Sequence, residues 1–307
     1  MSERFRVLIS LLLAMICWAF SFVWIKQAFL SFTPLTILVL RLIISAALLA
    51  SILKFLKQLK PIQKQDFKWF VLLAFFEPFL YFLGESFGLE LVPSTVGAVI
   101  VSTIPLFAPI TDRLFFKSRI GWPNLLGILV SFTGVLLIII KEDLSLAAPL
   151  KGVLLMFVAV FSTMGYSIVL KKIPAGYNAV SIITYQNTIG IFYFLPLFLY
   201  FDAPDLSTLQ IHDEALVAVL LLAIFGSSLA FIFFTYGIRK IGITKANVFV
   251  NLIPVFTAII AWYVLGDALT LQIMIGIAFV IGGLFISQIK INQRGIRQRR
   301  TEAEGAK

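Results

Sequence analysis

Three charged side chains stand where the surrounding sequence offers them no water. Arg41 interrupts the apolar run from Pro34 to Phe55, and Glu77 and Glu85 interrupt the run from Lys68 to Leu91. A charge in hydrocarbon costs several kcal/mol unless it is paired or faces a wet cavity, so such residues mark solute or ion paths. Glu77, Tyr81 and Glu85 are spaced four and four, which gathers them on one face of a helix. Glu85 and Arg41 fall at comparable depth, about five and about seven residues below one surface. At that depth they could pair, either as a static bond or as a gate that opens. Glu77 falls near the midplane with no basic residue at its depth. A carboxyl that takes up and releases a proton while facing each side in turn is what proton antiport needs. The alternative is a Glu held permanently protonated beside Pro78.

Other polar side chains fall at similar depths. Gln186 and Asn187 follow Tyr185 in one apolar run, and Asn247 and Asn251 are four apart in another, on one helix face. Amides both donate and accept, which suits a zwitterionic or hydroxylated solute; each also serves as glue between helices. Trp18 and Trp24 offer an apolar wall or an interfacial anchor. One cysteine, Cys17, and one histidine, His212, give no disulfide and no metal site, and nothing points to a cofactor.

The elements that must position these residues are transmembrane helices. Hydrophobic residues make up 60% of the 307-residue chain and charged ones 13%, against roughly 25% in soluble domains. A spanning helix needs roughly 20 apolar residues. That ruler places ten, near 6–28, 34–56, 68–90, 93–116, 121–140, 150–170, 178–201, 213–237, 244–266 and 270–289. The fold class is therefore an all-α polytopic membrane protein. The net charge of +10 is spread in short clusters between apolar runs, unlike the single basic face of a nucleic-acid binder. Those clusters alternate as the positive-inside rule requires. Arg4 and Arg6, Lys54 to Lys68, Arg113 to Arg119, Lys171 and Lys172, Arg239 to Lys245 and the tail from Lys290 would be cytoplasmic, as would both termini. Asp202, Asp205, Asp213, Glu214 and Asp267 would face outward with Lys141, Glu142, Asp143 and Lys151.

The second half of the chain echoes the first. At an offset of 149, Pro105 falls on Pro254, and Gly88, Gly127 and Gly134 fall on Gly237, Gly276 and Gly283. About fifteen positions between 74 and 140 match without a gap; earlier in each half the offset is 145, which aligns Arg41 with Gln186. Repeats of five spans must insert with opposite orientation. The expected organisation is thus two inverted five-helix repeats, 1–141 and 142–289, followed by a basic tail, 290–307, with a solute site near the midplane between them. Pro105 and Pro254 both land near the bilayer centre. Each frees the carbonyl four residues earlier, on Val101 and Val250, making the two prolines hinge candidates or tolerated kinks.

These residues carry a family resemblance. The first helix reads CWAFSFVWIK from Cys17, Arg41 stands in the second, and a run extends from Gly88 through Val92-Pro93-Ser94-Thr95 to Ile104-Pro105-Leu106. With Gly127 to Gly134, and Leu265-Gly266-Asp267-Ala268-Leu269-Thr270 to Gly276 and Gly283, the chain resembles the EamA family of the drug/metabolite transporter superfamily, as two copies of its domain. The resemblance implies a ten-helix exporter of small metabolites, often amino acids, in a bacterial cytoplasmic (inner) membrane. It also implies a central cavity, with helices five and ten at the periphery. The family's acidic residue ahead of the last helix of a repeat is Asp267 in the second copy; Ser118 holds that place in the first.

The expected partners are a small-molecule solute, protons and the lipid bilayer. A nucleotide-sugar or sugar-phosphate exchanger is the alternative within the superfamily, though it would want more cavity cations than Arg41 and Lys26; a non-transporting membrane sensor is another. An intramembrane enzyme lacks the acid pair or paired histidines its chemistry would need.

Overall fold

A computed structural model describes residues 3–58, 61–107, 122–139, 148–204, 210–242 and 246–287. Among them are no strands, and the helical stretches number ten. Six are long and apolar enough to cross a membrane: α1 (Glu3–Ala28), α2 (Pro34–Phe55), α3 (Phe67–Leu91), α6 (Leu150–Leu170), α7 (Ala179–Phe201) and α8 (Asp213–Ile241). Four shorter apolar helices complete the set: α4 (Ser94–Phe107), α5 (Trp122–Ile139), α9 (Phe249–Leu265) and α10 (Leu271–Ser287). The expected fourth helix, 93–116, is helical up to Phe107, and its remainder lies outside the described residues. So do Asp112, Arg113, Lys117, Ser118, Arg119, Lys141, Glu142, Asp143, Asp205, Thr244, Lys245 and the 290–307 tail. α8 runs four residues past the expected end at 237.

Local chemistry sets several of these boundaries. Thr33 caps α2 in an extended conformation and accepts a bond from the Thr36 amide, with Pro34 behind it in the first turn, where a missing N–H costs nothing. Asn178 caps α7 in the same way through the Ser181 amide, at 2.7 Å. The large hydrophobic side chains that remain exposed, such as Phe161, Phe192, Tyr263 and Phe285, lie on outer faces of the bundle. In water they would be a liability; against lipid they are ordinary.

Packing follows a regular scheme. α2 packs on α7, α4 on α9 and α5 on α10, while α1 packs on α8 and α3 on α6. Exchanging the halves, by adding five to the number of every helix in the first and subtracting five in the second, reproduces the same set of pairs. Several pairs run antiparallel. The start of α1 meets the end of α8 through Glu3 and Lys240, 2.6 Å apart, and its far end meets the start of α8 where Ser31 bonds His212. In α5 and α10 the order reverses likewise: a Cβ on Gly134 would sit 2.6 Å from the Gly276 carbonyl, and one on Gly283 would sit 2.6 Å from that of Gly127. Small residues here permit backbone contact within one chain. At Gly84 in α3 a Cβ would lie 2.5 Å from the Leu155 carbonyl of α6, which is why the charged face of α3 sits so close to its neighbour.

Candidate functional site

The charged residues of the sequence meet in a narrow central cavity. It is bounded by Trp18, Ser21 and Phe22 of α1, Arg41 of α2, and Glu77, Tyr81, Phe82 and Glu85 of α3. Val101 and Ile104 of α4, Thr163 of α6, Phe231 and Phe234 of α8, and Asn247, Val250 and Ile253 at and before α9 close it. Its volume is about 30 Å³, room for a water or two.

The backbone that presents Glu77 is irregular. α3 opens into a wide turn over Phe75–Leu80, where Glu77 leaves helical geometry altogether (φ −136°, ψ 121°) and Pro78 brings no N–H to the ladder. α8 opens similarly over Leu222–Leu229, at the equivalent place in the other half. Wide turns of this kind concentrate at functional sites. Glu77 is 4% exposed, and one of its oxygens accepts from the Thr163 hydroxyl at 2.8 Å. No cation is within ion-pair distance of it among the described residues.

Arg41 and Glu85, 2% and 6% exposed, are an ion pair with 3.8 Å between Nη1 and Oε2. The guanidinium is held on its other sides. Nε donates to Ser227 Oγ at 2.7 Å, and Cζ stands 4.0 Å from the centre of the Phe82 ring. Tyr81 donates to the second oxygen of Glu85 at 3.2 Å. Trp18 meets Phe231 and Phe234 edge-on, with ring centres 5.2 and 4.9 Å apart, and these three make an aromatic wall.

The amides divide between cavity and packing. Asn247 borders the cavity and its oxygen has no donor; Asn251, also buried with an oxygen lacking a donor, does not border it. Asn187 is bonded away from the cavity, to Ser45 Oγ at 2.7 Å and the Ser227 carbonyl at 2.9 Å. Gln186 is fully buried, with neither amide atom bonded, and does not border the cavity. The two prolines sit beyond breaks in their helices. Pro105 follows a turn at Ser102–Thr103, whose hydroxyls bond back to Val99 and Ile100 carbonyls at 2.7 and 2.6 Å. Pro254 follows a tight turn over Val248–Leu252. Val101 and Val250, whose carbonyls the prolines would leave free, both border the cavity.

Sequence reasoning missed the hydroxyls that hold these charges, Thr163 and Ser227, and the Ser45–Ser228 pair at 2.6 Å that holds Asn187. Short hydroxyls in apolar helices usually bond back to their own helix, so nothing in their spacing sets these apart.

Side-chain bonds also tie neighbouring elements together at both ends of the bundle. At the acidic rim Asp202 accepts from Thr33 and Thr36, and His212 bonds Ser31 at 2.9 Å. At the basic rim Tyr177 donates to Asp66 at 2.9 Å and accepts from the Gln63 amide at 3.0 Å, while Arg239 caps the Tyr177 and Pro174 carbonyls. Among the described residues no group of three or more His, Cys, Asp or Glu is placed to hold a metal.

A bundle of long apolar helices around a buried, charged and aromatic cavity marks a polytopic membrane protein. The EamA-like transporter family model matches the chain twice, over residues 5–140 and 150–288, and the chain belongs to that family. Relatives point the same way. The uncharacterized transporter YdfC of Bacillus subtilis is 23% identical over 288 residues, 94% of this chain and 92% of its own length. YetK of the same organism, also an uncharacterized transporter, is 28% identical over 82% of this chain and 77% of its own. An uncharacterized transporter of Archaeoglobus fulgidus is 26% identical over 91% of this chain and 97% of its own. A solved crystal structure 15% identical in sequence shares the fold, with a TM-score of 0.69 over 94% of this chain and 97% of that one.

Proposed function

We propose that the protein is a secondary transporter that moves a small polar metabolite, an amino acid or a related solute, out of the cytoplasm by alternating access. In this reading the ten helices are ten spans arranged as two inverted five-helix repeats, 1–141 and 142–289. Both termini face the cytoplasm from the cytoplasmic membrane, and protons are the coupling ion. The observation that carries it is the placement of Glu77 and of the Arg41–Glu85 pair around one enclosed cavity, bordered by helices of both halves. Three further features support the organisation: the two family matches, the packing scheme that repeats under exchange of the halves, and the antiparallel run of equivalent helices α5 and α10. The breaks before Pro105 and Pro254 support hinges beside the cavity, because helix interruptions at mid-depth are where half-helices reorient in such proteins.

The mechanism asks two things of the residues. Arg41 and Glu85 must stay compensated while the surroundings change, which their shared contacts with Ser227, Phe82 and Tyr81 allow. Glu77 must be reachable from each side in turn, and its single hydroxyl partner leaves its other oxygen for a proton or a solute. The test is counterflow in proteoliposomes, screened over amino acids, amines and small metabolites. Saturable exchange of a labelled solute against its unlabelled form is expected. Liposomes that exchange nothing while holding folded protein would return the chain to a sensor reading.

A further inference from the structure

The cavity lies across the relation between the two halves of the chain. At the offsets of 145 and 149 that align the halves, five of the six described residues that the second half gives the cavity are counterparts of residues that the first half gives it. Thr163, Phe231, Phe234, Val250 and Ile253 answer to Trp18, Phe82, Glu85, Val101 and Ile104. The alignment holds in three dimensions as well. Thr33 and Asn178 are counterparts, and each caps its helix through the amide three residues on, one at the acidic rim and the other at the basic rim. Ser45 of α2 reaches the Ser227 carbonyl at 3.4 Å, and its counterpart Gly190 of α7 packs against Pro78, the counterpart of Ser227.

The remaining first-half residues break the match. Glu77 and Tyr81 have Gly226 and Ala230 as counterparts, which carry no polar side chain. Ser21, Phe22 and Arg41 border the cavity, while their counterparts Tyr166, Ser167 and Gln186 do not. Tyr166 is 1% exposed and Gln186 0%, and neither the phenol oxygen nor either amide atom has a hydrogen-bond partner. Buried polar groups without partners are costly, and native structures keep few of them. Arg41 stands eight residues past the Thr33 cap and Gln186 eight past the Asn178 cap, so each lies nearer its own rim than the far end of its helix.

Resting on the reading of inverted repeats and alternating access above, we propose that Tyr166, Ser167 and Gln186 form a polar face of the solute site when it opens to the basic rim. They join its wall at the place in the second half that Ser21, Phe22 and Arg41 hold in the first. When inverted repeats rock against each other around a fixed site, the two halves exchange roles between the two open states. A residue whose counterpart lines one state is thereby brought to the other. The exchange also supplies the missing partners, because the amide and phenol that are unbonded here meet water or solute there. This face carries donors and acceptors but no charge, and so suits the uncharged polar groups of a solute.

The test uses the full chain in membrane vesicles of known orientation, in a Cys17→Ala background that removes the sole native cysteine. Gln186→Cys and Ser167→Cys are treated with a membrane-impermeant sulfonated maleimide from either side. Lys172→Cys, exposed just past the end of α6, marks the basic-rim side. Thr184→Cys is the negative control: Thr184 is buried, bonded to the Val180 carbonyl of its own helix, and two residues from Gln186, which places it on the opposite side of α7. Labelling of Gln186→Cys and Ser167→Cys from the basic-rim side and not from the other is expected, with Thr184→Cys silent. A further variant separates a solute face from helix glue. Gln186→Met keeps the volume and removes an amide that makes no bond here, so it should melt within about 2 °C of wild type or above it. Absence of labelling in both cysteine variants while they elute as folded protein, labelling of Gln186→Cys from the acidic-rim side alone, or a clear fall in the melting temperature of Gln186→Met would overturn the proposal. Labelling needs no solute. A counterflow screen that fails beside basic-side labelling would therefore overturn the transport reading and leave the exposure of this face standing.

Discussion

The Arg41–Glu85 pair allows the sharpest energetic prediction. At 3.8 Å, unit charges attract by about 4 kcal/mol at the effective dielectric of a protein interior near a wet cavity. Removing one partner loses that attraction and strands the other charge at 2% or 6% exposure, for which roughly 3–5 kcal/mol is typical. At roughly 2 °C per kcal/mol for a chain of this size, Glu85→Gln and Arg41→Met should each lower the melting temperature by about 6–10 °C. The double variant removes both charges and leaves no orphan. It should recover to within about 2–3 °C of wild type, a coupling of several kcal/mol. The assay is thermal unfolding in detergent followed by size-exclusion fluorescence, with all four proteins in one buffer. Single variants that each melt within about 1 °C of wild type, or a double variant whose loss is the sum of the singles, would refute the claim that these charges compensate one another. Flux through the double variant adds a second reading. A static pair predicts that transport returns with stability, and a moving gate predicts that stability returns alone.

Three further outcomes follow from the geometry. Gly84→Val should prevent folding, because its Cβ would lie 2.5 Å from the Leu155 carbonyl and 2.7 Å from the Ala159 amide; Gly176→Ala, with open space around it, should behave as wild type in yield and elution profile. Between α9 and α10, burial holds the Asp267 carboxyl above the usual aspartate range, with Lys26 pulling it part of the way back. A raised acid contributes most below its ordinary pKa, and the contribution is lost as pH rises through the higher folded value. The fall in melting temperature from about pH 4 to about pH 8 should therefore be smaller in Asp267→Asn than in wild type. Finally, Cys17 is the sole native cysteine, so Cys17→Ala gives a clean background in which Ser21→Cys reports on the cavity. A membrane-impermeant maleimide should reach that position from each side of the vesicle in turn; labelling from one side only, under all conditions, would contradict alternating access.

Much of this molecule was legible from its sequence, for physical reasons that also explain what was not. A bilayer demands long apolar runs, so α1, α2, α6 and α7 could be placed within about three residues. The same demand makes a buried charge conspicuous, which is why Arg41, Glu77 and Glu85 stood out and why Arg41 and Glu85, at comparable depth, could be read as able to pair. Depth along a helix says little about direction around it. Asn187, Gln186 and Asn251 lie at suitable depths yet do not border the cavity, whereas Asn247, one turn from Asn251, does. The wide turns in α3 and α8 were invisible in advance. Pro78 hinted at the first, but the residues at 222–229 read as an ordinary apolar helix with two serines. The roles of Ser227 and Thr163 depend on which helix packs opposite them, and that is a property of the assembled bundle.

The central claim is that a solute crosses through the cavity around Glu77 in exchange for protons. The most direct measurement is accumulation of a transported solute in proteoliposomes under an imposed pH gradient, comparing wild type with Glu77→Gln. Accumulation driven by the gradient in wild type and abolished in Glu77→Gln, with any solute-for-solute exchange judged separately, is the predicted result. Accumulation that ignores both the gradient and the substitution would contradict it, leaving a facilitator in which Glu77 only joins α3 to α6 through Thr163.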